Sequence, residues 1–272
     1  CGVLLLTSYP LMYVVEKAFG FTSAVTLFEL SDINKDLLRR LSEVSAGTMQ
    51  HSITVSNIAA DIAQKIGARS LLVRTGALYH DIGKISNPSF FTENQKDINP
   101  HDHMTPQESA RIIINHVKEG KRLAEKYGLP NEIIDFIMTH HGAGMTKYFY
   151  ITYKNAHPDE EVDKAPFTYP GPNPFTTEQA ILMMADSVEA ASRSLKDYTE
   201  ESITELVNRV IDGIVADGFF LDCPITFHDI SVAKRVIIER LKTNYHTRIT
   251  YPELKTAAQK SAEQEAKKKK KK

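Results

Sequence analysis

The sequence has almost no cysteine and none of the glycine-rich signatures by which backbones cradle phosphates. Its 272 residues include two cysteines, Cys1 and Cys223, which form no spacing pattern. That argues against a disulfide framework and a thiolate zinc site, and it fits a reducing compartment. No phosphate-binding glycine loop, dinucleotide fingerprint or internal repeat is present, and no Ser-His-Asp or Cys-His nucleophile is suggested. Charge is not in excess either. The formal net charge is -1, and the closing run of six lysines leaves the remainder at -7. A mildly acidic body with a basic tail is a poor match for a broad nucleic-acid surface, so no polymeric nucleic acid is expected as partner. The uncharged stretch over residues 2–15 falls short of the roughly 20 residues that a membrane-spanning helix needs.

What is present is the composition of an ordinary globular protein, 42% hydrophobic and 25% charged, in a chain long enough for a sizeable core. It begins with cysteine rather than methionine, which reads as a fragment or a processed product. The 2–15 stretch reads as the end of a last transmembrane helix, with Glu16 and Lys17 marking its exit, or as a core helix. A lipid-modified Cys1 fits less well, because no polar spacer follows it. We therefore divide the chain into residues 1–30 (the end of a membrane helix or an N-terminal helical segment), a main domain over 31–255, and a lysine-rich tail over 256–272.

From Ser31 onward the pattern is helical almost throughout, so the fold class is all-α. Helices are expected over 32–45, capped by Ser31 or Asp32, and over 48–66, ending at Gly67. Others are expected from Ser70, from Pro106 to about 127, over 131–141, and over about 176–195, 199–216 and 226–244. Residues 86–105 read as a polar loop whose His101 and His103 could bind substrate, although ordinary exposed loop histidines are the plainer reading. Residues 142–175 read as a long irregular segment, rich in proline and aromatics, that is either a lid or a mobile connection; its aromatics could stack on a nucleobase or equally pin the segment to the core.

The histidines carry the chemistry. His51 shares a helix face with Val55, Ile58 and Ile62, and His116 shares one with Ile112 and Leu123, so both point inward. A lone histidine on an apolar stripe is more often a satisfied core residue than a ligand. Here it is not alone: His80-Asp81, His140-His141 and Asp186 bring the count to seven potential ligands, enough for two metal ions sharing a bridge. Five imidazoles and two carboxylates favour iron, manganese or zinc over magnesium or calcium. A bridging carboxylate such as Asp81 suits a pair of ions that binds phosphoryl oxygens and lowers the pKa of a water between them. Lys84, close after His80, could stabilise a phosphate or a leaving oxygen; the plainer reading is a solvent-facing helix-end lysine. Arg193 could reach a phosphate with its planar fork, or simply pair with Glu189 on the helix surface.

His51, His80-Asp81 and Asp186 resemble the H…HD…D signature of the HD-domain metal-dependent phosphohydrolases. His116 and His140-His141 resemble the additions of its two-metal branch, which includes cyclic-dinucleotide phosphodiesterases. The resemblance implies an HD-domain helical bundle with a dinuclear site. His51, His80, Asp81 and Asp186 would hold one ion; His116, His140 and His141, with Asp81 bridging, would hold the other. The branch specific for cyclic di-GMP carries Gly-Tyr-Pro shortly after the double histidine. Here Gly142-Ala143-Gly144-Met145 follows it, and Tyr169-Pro170-Gly171-Pro172 lies far downstream. Instead Gly47-Thr48-Met49-Gln50-His51-Ser52, Tyr169-Pro170-Gly171-Pro172 and Ala185-Asp186-Ser187-Val188-Glu189-Ala190 resemble the cytoplasmic domain of the bacterial seven-transmembrane HD phosphodiesterases.

That resemblance implies hydrolysis of cyclic di-AMP to pApA by a metal-activated hydroxide, with two divalent ions, manganese or iron, as cofactors. Asp81 and Lys84 would be catalytic, and Lys84, Arg193 and Tyr169 would contact substrate. It also implies a full-length protein anchored at the cytoplasmic face of the membrane. The competing expectations are an HD hydrolase of another nucleotide (cyclic di-GMP, ppGpp or a mononucleotide), a di-iron oxygenase, and a sensor that binds without cleaving. Seven ligands leave few open positions for oxygen, and no ligand is missing as it would be in a degenerate sensor.

Overall fold

The computed structural model describes residues 11–246 apart from 13, 17, 19, 96 and 97. Most of the apolar 2–15 stretch and the whole 256–272 tail lie outside the described residues. Among those described, no helix is long and apolar enough to cross a membrane. Regular structure there is helical apart from a single bridge between Met145 and Thr168.

The centre of the molecule is helix α3 (Ala46–Ile66), following α1 (Ala24–Leu30) and α2 (Asp36–Val44). Val55, Ile58, Ala59, Ile62 and Ala63 on α3 are buried, and Gly67 closes it in the left-handed conformation, φ 79°, which glycine adopts at little cost. Packed on α3 are α2, α4 (Ser70–Tyr79), α8 (Thr177–Ser192) and α10 (Phe227–His246). Helix α9 (Glu200–Ala216) fills the gap between α8 and α10. Helix α6 (Asn131–Thr139) covers α4, and α5 (Pro106–Lys126) covers α6. Each of α5 and α8 starts with a capping box, Thr105 with Glu108 and Thr176 with Gln179. These reciprocal bonds satisfy backbone N–H groups that the first turn leaves unpaired.

Three segments depart from expectation. The helix expected over 32–45 starts only at Asp36. Ser31 closes α1 instead, and Asp32 accepts a bond from the backbone N–H of Asn34 (2.9 Å), making a side-chain turn that competes with helix. The 86–105 loop is a chain of 3-10 turns, Pro88–Phe90, Thr92–Asn94 and Pro100–His103, following a similar turn at Ile82–Ser86, with Phe91 buried between them.

The irregular segment expected over 142–175 contains a helix, α7 (Lys147–Ala156). The prolines all lie beyond it, and its aromatic and threonine content has weak helix propensity. Tertiary packing decides the outcome: Phe149, Tyr150 and Tyr153 lie against a small second core of Ala110, Ile114, Val117, Phe167 and Tyr169. The aromatics of this segment thus largely pin it to α5.

Candidate metal centre

Five helices converge on one point. Helix α3 presents His51, the end of α4 presents His80 and then Asp81, α5 presents His116, the end of α6 presents His140 and His141, and α8 presents Asp186. The expected ligands are thereby brought together into two groups, His51 with His80 and Asp81, and His116 with His140 and His141. Within each, ligand atoms lie within 4.8 Å of one another. Asp186 joins the first group, its Oδ1 2.9 Å from His51 Nε2 and 3.6 Å from His80 Nε2.

The rings are aimed by their far nitrogens. Nδ1 of His80, His116 and His140 each faces the carbonyl three residues earlier: Ala77 at 2.7 Å, Ile113 at 2.5 Å and Ile137 at 2.8 Å. A carbonyl only accepts, so each Nδ1 carries the proton, leaving each Nε2 lone pair directed inward. His51 Nδ1 faces Glu189 Oε2 at 2.5 Å, a carboxylate doing the same job. Arg193 Nη2 also comes within 2.8 Å of that nitrogen. Since Nδ1 donates to Glu189, the guanidinium is held there by Glu189, which it meets at 2.6 Å.

Asp81 stands between the groups. Its Oδ2 faces His80 Nε2 (3.2 Å) and His51 Nε2 (3.6 Å), and its Oδ1 faces His116 Nε2 (3.4 Å) and His140 Nε2 (3.7 Å). His80 Nε2 and Asp81 Oδ1 are buried without a hydrogen-bond partner, an arrangement that costs free energy unless something else satisfies it. His116 Nε2 and His140 Nε2 approach to 3.2 Å with both lone pairs facing. A cation fits each of these observations.

The electrostatics divide the same way. Burial pushes the His80 imidazole down, but Asp81 and Asp186 outweigh it and hold the pKa up to about 10. The two carboxylates thus draw positive charge to the point at which that Nε2 is aimed. Burial and the neighbouring His116 push His141 down to about 3, and burial with His141 and His80 pushes His140 well below the histidine range. Those imidazoles stay neutral, as ligands must. Burial raises Asp81, but Lys84 and His80 hold it well below the usual carboxylate range.

Around the centre lies a cleft of about 840 Å³, lined among others by Lys84, Glu93, His116, Tyr169 and Arg193. Lys84 is not the solvent-facing residue of the plainer reading. Its Nζ bridges Asp81 Oδ2 (2.7 Å) and Glu93 Oε1 (2.8 Å), and it lies 4.8 Å from the centre of the Phe91 ring. Burial lowers its pKa, but the two carboxylates more than reverse that, so it stays an ammonium. Arg193 forms the expected pair with Glu189 yet also lines the cleft. Tyr169 is stacked on His141, ring centres 4.3 Å apart. His101 lies half-buried between Phe90 and Phe149, its Nε2 donating to the Phe90 carbonyl (2.9 Å); His103 is exposed. The sequence reading missed Glu93 and Asn94, which sit in a segment without periodicity. It quoted Thr48 only within a motif, although its place three residues before His51 puts it on the same helix face.

Comparison with known proteins gives concordant matches. Residues 48–191 match the family model of the HD domain. The chain is 43% identical over 239 residues to the cyclic-di-AMP phosphodiesterase PgpH of Listeria monocytogenes, covering 88% of this chain and 33% of that protein. It is 41% identical over 244 residues to PgpH of Bacillus subtilis, covering 89% and 34%. It thus spans about a third of the length of these curated relatives. A crystal structure of the L. monocytogenes PgpH HD domain in complex with cyclic-di-AMP is similar with a TM-score of 0.75 and 44% identity, covering 79% of this chain and 99% of that one.

Proposed function

The chain belongs to the HD-domain family, and on that premise we propose that it is a two-metal phosphodiesterase that hydrolyses cyclic di-AMP to pApA. One observation carries the reading: Asp81 turns one oxygen to each of two buried ligand groups, at the floor of a cleft walled by Lys84 and Arg193. His51, His80, Asp81 and Asp186 would hold one divalent ion; His116, His140, His141 and Asp81 would hold the other. The imidazole-rich donor set suits manganese or iron. Bound there, two such ions supply a Lewis acid for the phosphoryl oxygens and a water of lowered pKa.

The chain's own residues do the rest. The Ala77, Ile113 and Ile137 carbonyls and the Glu189 carboxylate hold the ring tautomers and orientations. Lys84 and Arg193 put positive charge beside the bound phosphate, the lysine as a compact point charge and the arginine as a planar fork. Tyr169, through its stack on His141, fixes that ring within the second group and lines the cleft. The departure from Gly-Tyr-Pro after His140-His141, together with the cyclic-di-AMP complex of a 44% identical domain, favours adenine over guanine. We further read the chain, which spans about a third of the length of these relatives, as the cytoplasmic part of a membrane-anchored protein.

The test is a hydrolysis assay on protein loaded with Mn²⁺ or Fe²⁺, with cyclic di-AMP and cyclic di-GMP offered in parallel. Preferential release of pApA is the expected result. Two bound metals with no turnover of either dinucleotide would overturn the reading in favour of another nucleotide hydrolase.

A further inference from the structure

Glu93 is a largely enclosed carboxylate to which the scheme above gives no part. Its Oε1 accepts from Lys84 Nζ at 2.8 Å and from Thr48 Oγ1 at 3.0 Å, and its Oε2 lies 3.9 Å from Arg193 Nη1. Its backbone is locked in place. Thr48 N donates to Asn94 Oδ1 (3.1 Å), and Asn94 Nδ2 donates to Thr48 Oγ1 (2.8 Å). The Glu93 carbonyl rests on Gly47, so close that a Cβ there would fall 1.9 Å from its oxygen. The side chain is 10% exposed. Glu93 is therefore a fixed negative charge set between Lys84 and Arg193.

If the cleft needed only to hold anions, such a charge would work against it. The reaction supplies a reason. Hydrolysis forms a bond from water oxygen to phosphorus and breaks the bond from phosphorus to O3′, which takes up a proton. A diester with one negative charge becomes a monoester carrying about -1.5 to -2 near neutral pH. Repulsion from a fixed carboxylate scales with the charge of the ligand, so it weakens the product more than the substrate.

We propose that Glu93 positions Lys84 and Arg193 and makes the cleft selective for phosphodiesters, so that the linear product is released rather than held. This rests on the phosphodiesterase reading above. Its test uses the metal-loaded protein and two probes, cyclic di-AMP read through its KM and pApA through its inhibition constant (both by calorimetry if neither is cleaved), with metal content by elemental analysis. Glu93→Gln removes the charge but keeps an acceptor for Lys84 and Thr48. The expected result is unchanged metal content, pApA bound about five- to tenfold more tightly and cyclic di-AMP by clearly less. Equal changes for the two probes, or weaker pApA binding, would overturn the proposal.

Glu93→Asp keeps the charge while shortening the tether, so the ratio of the two affinities should stay at its wild-type value as the KM for cyclic di-AMP rises. A ratio that moves as in the Gln variant would equally count against it. Wild-type hydrolysis of cyclic di-AMP judges the parent reading separately. A wild-type protein that binds both probes and cleaves neither would end that reading while leaving the Glu93 ratio measurable.

Discussion

Glu189 shows how a residue that touches no reacting atom can govern the site. On the helix surface it looks like half of an ordinary pair with Arg193, an interaction worth only a few tenths of a kcal/mol. Its Oε2, however, also accepts the Nδ1 proton of His51, which fixes the tautomer and aims Nε2 at Asp186 and Asp81. Outer-shell partners of this kind typically change metal affinity by about 10- to 100-fold. Glu189→Ala should therefore weaken Mn²⁺ binding by about that factor in a titration, while Glu189→Gln, which can still accept, should recover part of it. Unaltered affinity in the alanine variant would return Glu189 to the surface pair. The sequence placed Glu189 and Arg193 correctly on one face of α8 but could not reveal this role. The partner, His51, is 138 residues away.

Between elements, two glycines make opposite predictions. Gly83 follows the His80-Asp81 pair and lies against the backbone of α5: a Cβ there would fall 1.8 Å from the His116 carbonyl oxygen and 2.5 Å from the Gly120 nitrogen. Neither atom belongs to a flexible side chain, so Gly83→Ala must push α5, and with it His116, away from Asp81. Overpacking of this kind costs about 1–3 kcal/mol or more. The variant should melt several degrees lower and hold less metal. Gly213, inside α9, has nothing within 4 Å of its would-be Cβ. Gly213→Ala should stabilise by about 0.4–1 kcal/mol and leave metal content alone; a loss of stability there would mean that α9 is packed differently. Legibility follows the same division. Strongly periodic helices such as α3 and α5, with their caps, could be read from the sequence because local pattern sets them. Helix α7 and the 3-10 turns around Phe91 could not, because contacts with distant elements decide them against weak local propensity.

In the whole molecule, the ligands come from α3, α4, α5, α6 and α8 and the turns that end them, so a bound ion ties together most of the main core. The ligand positions were legible because His-Asp and His-His dipeptides stand out from composition. What joins them was not: Asp81 reaching toward both groups is a property of how five helices pack. That packing gives a stability prediction. A ligand that binds only the folded state at about a hundredfold its Kd stabilises by about 2.7 kcal/mol. For a domain of this size each kcal/mol raises Tm by about 2–4 °C. Loading with Mn²⁺ or Fe²⁺ at that excess should thus raise Tm by about 5–10 °C, and a chelator should reverse it. Asp81→Ala removes the carboxylate shared by both groups, so in that variant the same metal concentration should raise Tm far less. Equal metal-induced shifts in both proteins would mean that the ion binds elsewhere. No shift in the wild type would mean that the buried Nε2 and Oδ1 atoms are satisfied by something other than a cation.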